Sequence, residues 1–91
     1  MAIQIIIKGD VHGVFFRAFV EETALKLNIK GFVRNMPEGV EVVAEGSEKA
    51  LSELVKACQK GPLGAVINGV QVTKTMDKGF KSFEIKYDRF I

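Results

Sequence analysis

The stretch Ile3-Gln4-Ile5-Ile6-Ile7-Lys8-Gly9-Asp10-Val11-His12-Gly13-Val14-Phe15-Phe16-Arg17 carries a strand, a turn and a helix start in immediate succession. Ile3, Ile5 and Ile7 alternate with Gln4, Ile6 and Lys8, the two-residue period of a strand over residues 3–8. Ile6 on the second face points to a central strand, covered partly on both sides. Gly9 and Gly13 let the backbone turn tightly and bring bare N–H groups close to a ligand. From about residue 15 to residue 27, Phe16, Phe19, Val20, Thr23, Ala24 and Leu27 recur at helical spacing. Glu21, Glu22 and Lys26 fall largely on the opposite face. Asn28 stands where that helix ends, and asparagine tolerates the left-handed conformation of the residue after a helix.

The rest of the chain completes the pattern. Lys30 to Asn35 reads as a second strand and Val40 to Glu45 as a third. Met36-Pro37-Glu38-Gly39 turns the chain between them, so the pair is an antiparallel hairpin. Val40, Val42 and Ala44 share one face, with Glu41 and Glu45 on the other. Ser47 is a good N-cap with Glu48 in the first turn, and Ala50, Leu51, Leu54, Val55 and Cys58 form a second helical stripe. Gly61-Pro62 stops it. Ala65 to Thr75 supplies a fourth strand. Asp77-Lys78-Gly79 turns into a fifth, where Phe83, Ile85 and Tyr87 alternate with Glu84 and Lys86. The order is β-α-β-β-α-β plus a fifth strand, which implies an α+β fold. It is a ferredoxin-like two-layer sandwich, an antiparallel sheet with two helices on one face. Residues 1–91 read as a single domain.

Composition narrows the function. A hydrophobic share of 47% with 26% charged residues is that of an ordinary globular protein. A net charge of +2 is too small to argue for nucleic acid or a membrane surface. Cys58 is the lone cysteine and His12 the lone histidine, which excludes an internal disulfide and a cysteine or multi-histidine metal cluster. Cys58 falls on an apolar stripe, as a structural thiol would. Without a leader or a long apolar run, a soluble cytoplasmic protein is the expectation, with a monomer as the plain guess.

The chemistry concentrates around the opening stretch. A strand, a glycine loop, an arginine and a helix start together read as an oxyanion site, most naturally for phosphate or sulfate. Arg17 is the discordant residue, because a cation in the first helical turn opposes the helix dipole. An anion bound among the N–H groups neutralises both. The glycines alone also fit an ordinary turn, and the spacing matches neither the Walker phosphate loop nor the dinucleotide-binding pattern. Asn35, just before Met36-Pro37, reads first as ordinary turn chemistry, although its amide both donates and accepts, as the positioning of a water needs. His12 can be read as a general base or as a solvated loop side chain.

Gly9-x-Val11-x-Gly13-Val14-x-Phe16-Arg17, then Gly31-Phe32-Val33-Arg34-Asn35 with Gly39 and Glu41, resembles the acylphosphatase signature. Gly61-Pro62, Ala65, Val66, Gly79, Phe83 and Ile85 extend the resemblance over essentially the whole chain. It implies metal-independent hydrolysis of acyl phosphates to a carboxylate and inorganic phosphate. Arg17 and the loop amides of Val11, His12, Gly13, Val14, Phe15 and Phe16 would bind the phosphoryl group, and Asn35 would orient the attacking water. The resemblance also suggests that the carboxylate after Ile91 could reach Arg17. His12 stands where the family usually has glutamine, and Phe32 where it commonly has tryptophan.

Two other classes share this element order. A single-strand RNA-binding module needs stacking aromatics on its central strands, and Ile3 to Lys8 and Val40 to Glu45 have none. A non-catalytic phosphate-binding domain on the same fold is the alternative that hydrolysis assays separate.

Overall fold

In a computed structural model, which describes residues 1–12 and 15–87, the alternating isoleucines lie in β1 (Ala2–Asp10). Ile3, Ile5 and Ile7 are buried on one face, while Ile6 and Gln4 are half-covered on the other. The chain continues through α1 (Phe16–Lys26), β2 (Lys30–Met36), β3 (Gly39–Glu45), α2 (Glu48–Lys60), β4 (Val66–Thr75) and β5 (Phe83–Lys86). The ferredoxin-like sandwich expected from the element order is the observed architecture.

The strands form one sheet in the order β4-β1-β3-β2-β5. β1 pairs antiparallel with β3 and β4, and β2 pairs antiparallel with β3. The fifth strand corrects the expectation of an antiparallel sheet: β5 runs parallel to β2, so the sheet is mixed at that edge.

The reason lies in the connection. β4 and β5 occupy opposite edges, so residues 76–82 cannot close a hairpin and instead cross the end of the sheet. The crossing is pinned strand by strand. The N-terminal ammonium of Met1 is 3.4 Å from the Asp77 carboxylate. Glu45, at the end of β3, accepts from the backbone N–H of Lys78 and, at 3.1 Å, from that of Phe80. The Phe80 ring then meets Phe32 edge-on at 5.9 Å, and Gly31 donates to the Ser82 carbonyl at 2.9 Å.

Register places the apolar residues of neighbouring strands on the helix side. Ile5 and Val33 both face Val42, and all three are fully buried. Phe16, Val20 and Ala24 of α1 and Leu51, Leu54 and Cys58 of α2 close the other side of the core. Gly39 begins β3 where a β-carbon would overlap the Ile7 carbonyl oxygen, which explains a glycine at the end of the hairpin turn. Asn28 ends α1 at φ 57, and Ile29 donates to the Ala24 carbonyl at 2.9 Å, as the asparagine at that position predicted.

Two outcomes test this packing. Leu54→Ala should lower the unfolding free energy by about 2–5 kcal/mol, measured by urea denaturation. Burial pushes the Cys58 thiol up to about 12. The native protein should therefore react with a thiol reagent at about pH 8 only as fast as it unfolds, whereas the denatured chain should react at once.

Candidate active site

The two helices begin differently, and the difference marks the site. α2 is capped: Ser47 Oγ accepts from the Ala50 N–H at 3.1 Å, and Glu48 adds a negative charge in the first turn. α1 has no side-chain cap and no acidic residue in its first turn. Its N-cap residue is Phe15, which has no side-chain acceptor and sits in the left-handed region at φ 58, ψ 32. The first-turn N–H groups of a helix have no intrahelical partner. In this turn stands the cation Arg17, so unpaired backbone dipoles and a guanidinium share a place where stability alone would put a carboxylate.

Strand register brings the second component. Asn35 pairs with Val40 in the β2–β3 ladder, two positions beyond Val33, so it shares the helix-side face at the carboxyl end of β2. A cleft of about 380 Å³ opens there. Its walls are Val11 following β1, the Phe15-to-Ala18 turn that starts α1, Asn35 on β2, and Ile85 and Tyr87 at the end of β5. Both β1 and β5 run parallel to β2, so the cleft lies beyond the carboxyl ends of three co-directional strands. The Tyr87 ring lies under the guanidinium of Arg17, 4.8 Å from ring centroid to Cζ. Stacking of this kind holds the planar fork in one orientation while leaving its N–H groups available.

The residues singled out from sequence divide as follows. Arg17, Asn35, Val11, Phe15 and Phe16 line the cleft. Phe16 is buried and meets Phe19 edge-on at 6.0 Å, so its side chain belongs to the core. His12 is not among the residues lining the cleft: its Nε2–H donates to the Gly39 carbonyl at 2.8 Å and ties the loop to the hairpin. Asp10 is an exposed member of the β1–β4 ladder, opposite Val66. Gly13, Val14 and the terminal carboxylate at Ile91 lie outside the described residues. Sequence reasoning missed Tyr87, Ile85 and Ala18. The alternation of Phe83, Ile85 and Tyr87 gave their shared face, but only the parallel pairing of β5 with β2 carries that face to Arg17.

The opposite sheet face holds a polar cluster of its own. Glu41 accepts from Arg34 Nε at 2.5 Å and from Gln4 Nε2 at 2.6 Å. Beside it, the Lys86 ammonium lies 4.0 Å over the Phe32 ring. Burial alone would raise the Glu41 carboxyl. The hydrogen bonds from Gln4 and Arg34, with the charges of Arg34 and Lys86, outweigh it and hold the group below its ordinary 4.5. No group of three or more histidine, cysteine, aspartate or glutamate side chains suited to a metal occurs among the described residues. No helix there is long and apolar enough to cross a membrane.

Fold and cleft together define a ferredoxin-like sandwich with a basic pocket at the start of its first helix. The acylphosphatase family model matches residues 3–85. The acylphosphatase of Archaeoglobus fulgidus is 40% identical over 88 residues, covering 96% of this chain and 99% of that one. The acylphosphatase of Thermotoga maritima is 42% identical over 87 residues, covering 94% and 97%. Among solved structures, the Bacillus subtilis acylphosphatase superposes with a TM-score of 0.90 at 38% identity, covering 94% of this chain and 98% of that one. Full-length HypF, in its phosphate- and nucleotide-bound form, matches with a TM-score of 0.90 at 37% identity over 96% of this chain, which spans 12% of that longer one. The chain belongs to the acylphosphatase family, and acylphosphatase activity is the function that membership carries.

Two measurements address the geometry. Phe15 is exposed and left-handed, so Phe15→Gly should raise the unfolding free energy by about 1 kcal/mol, opposite in sign to an ordinary loss of a phenylalanine. For Glu41 the folded value is depressed, so its contribution is present above the ordinary carboxylate value and lost as pH falls through the folded one. Stability of the parent chain should therefore fall more steeply than that of Glu41→Gln as pH is lowered below the ordinary 4.5, read from urea midpoints.

Proposed function

We propose that this chain, acting as a single domain over residues 1–91, hydrolyses the carboxyl–phosphate bond of acyl phosphates without a metal ion or cofactor. The observation that carries the mechanism is an uncapped helix start with Arg17 in its first turn, facing Asn35 across one cleft. Arg17 and the first-turn and loop amides clamp the phosphoryl oxygens, supplying the positive charge that phosphoryl transfer needs as its equatorial oxygens gather charge. The Asn35 amide accepts from a water and orients its oxygen toward phosphorus.

The water oxygen forms the new P–O bond as the bond from phosphorus to the acyl oxygen breaks. The acyl group departs as a carboxylate, a leaving group stable enough to need no general acid. The proton of the water passes to a phosphoryl oxygen, so no protein base takes part. This suits a cleft where the lone histidine is engaged with the Gly39 carbonyl. A monomer in the cytoplasm, with inorganic phosphate as product and weak inhibitor, completes the reading.

Hydrolysis of benzoyl phosphate tests it. Arg17→Ala should lower kcat/KM by about a thousandfold and abolish inhibition by phosphate. Asn35→Ala should lower kcat by about a hundredfold and leave the phosphate inhibition constant unchanged, since it holds the water and not the anion. Activity should persist in excess EDTA. Wild-type turnover by Arg17→Ala would overturn the assignment, and phosphate binding without hydrolysis by the parent chain would make the domain a binding module.

A further inference from the structure

We propose that the departing acyl group is seated on an apolar strip running from the phosphoryl cleft over Phe15 and Ala18 to Pro62 and Leu63. The preferred substrates are then acyl phosphates whose acyl body is uncharged and apolar. The proposal rests on the reading of the cleft given above and names the part of the substrate which that reading leaves open.

The strip is a second, shallower hollow beside the first. Phe15, Ala18, Phe19, Glu22, Pro62 and Leu63 line it, and Phe15 and Ala18 belong to both. The chain keeps large apolar surface in water here. Phe15 is 84% exposed and Leu63 fully so. Scattered apolar residues on a surface need no explanation, but a contiguous pair of hollows joined at the reacting cleft does. Phe15 is held outward in a left-handed conformation, so its exposure comes at a backbone cost.

In-line displacement fixes the direction. The attacking water and the departing oxygen lie on opposite sides of phosphorus. α1 packs against β2 and β5 on one flank and against α2 on the other. Asn35 holds the water from the β2 flank. The acyl oxygen therefore leaves toward the other flank, where Phe19 of α1 and Pro62 and Leu63 following α2 stand. Among the described residues, the one titratable side chain lining the hollow is Glu22, a carboxylate 3.9 Å from Lys26. The described lining therefore offers no cation to an acyl tail bearing a second carboxylate or phosphate.

Each fully buried methylene is worth about fourfold in affinity, and a half-open strip gives less. Three substrates decide the matter: acetyl phosphate, hexanoyl phosphate, and the monophosphate of adipic acid, which ends in a free carboxylate. The wild-type chain should hydrolyse hexanoyl phosphate with a kcat/KM about tenfold above acetyl phosphate, chiefly through KM, and the adipic compound no better than acetyl phosphate. Leu63→Ser, at a fully exposed position, should cut the hexanoyl value about threefold and leave the acetyl value unchanged. Equal values for hexanoyl and acetyl phosphate, or a Leu63→Ser variant that lowers both alike, would overturn the strip while leaving the hydrolase reading intact. Failure to hydrolyse any of the three would overturn both.

Discussion

At the start of α1, backbone N–H groups and the Arg17 guanidinium bring positive charge together with no protein anion among the described residues of that first turn. Dipole and cation repel each other there, and a helix N-terminus in isolation favours Asp, Glu or a capping hydroxyl. α2 follows that preference with Ser47 and Glu48 in the same fold. The contrast places the exception at one position and gives it a sign, that of a site complementary to an anion. Phe15 sharpens the point, because a phenylalanine at φ 58 is neither a cap nor a comfortable conformation. On the proposed mechanism, an exogenous phosphoryl group would supply the charge, the acceptors and the reason for the strain together.

The sheet serves that helix start. Parallel alignment of β1, β2 and β5 gathers Val11, Asn35, Ile85 and Tyr87 at one end, around the first turn of α1. The alignment of β5 depends on the opposite end, where residues 76–82 cross from one edge of the sheet to the other. Glu45 is the pivot of that crossing, holding the backbone of Lys78 and Phe80 above the end of β3. A contact remote from the cleft thus decides that Tyr87 emerges under the Arg17 guanidinium. Arg34, Glu41 and Gln4 brace the same strands from the far face without entering the cleft.

Much of this could be read from the residues. Alternation in Ile3 to Lys8 and Val40 to Glu45, helical stripes ending at Asn28 and Gly61, and the Pro37-Glu38-Gly39 turn gave every element and the sandwich. Such features are local, and the period of the apolar residues records which face is buried. The direction of β5 was not legible, because Asp77-Lys78-Gly79 has the composition of a tight turn whether the next strand lies beside β4 or across the sheet. Arg17 stood out through a conflict between charge and dipole that a sequence displays openly. Asn35 did not, since an asparagine before Met36-Pro37 suits a turn equally well, and only register with Val40 puts it on the helix-side face. Tyr87 and the His12 contact with Gly39 arise from tertiary pairing and leave no local trace.

The central claim is that the start of α1 receives the phosphoryl group, and amide NMR with inorganic phosphate tests it most directly. Titration should move the backbone amide signals of Phe16, Arg17 and Ala18 saturably and together, with the Asn35 side-chain amide, while the first turn of α2 stays still. The same titration of Arg17→Ala should leave those signals in place. Saturable shifts confined to the Lys86 and Arg34 face of the sheet, or none at the start of α1, would contradict the account.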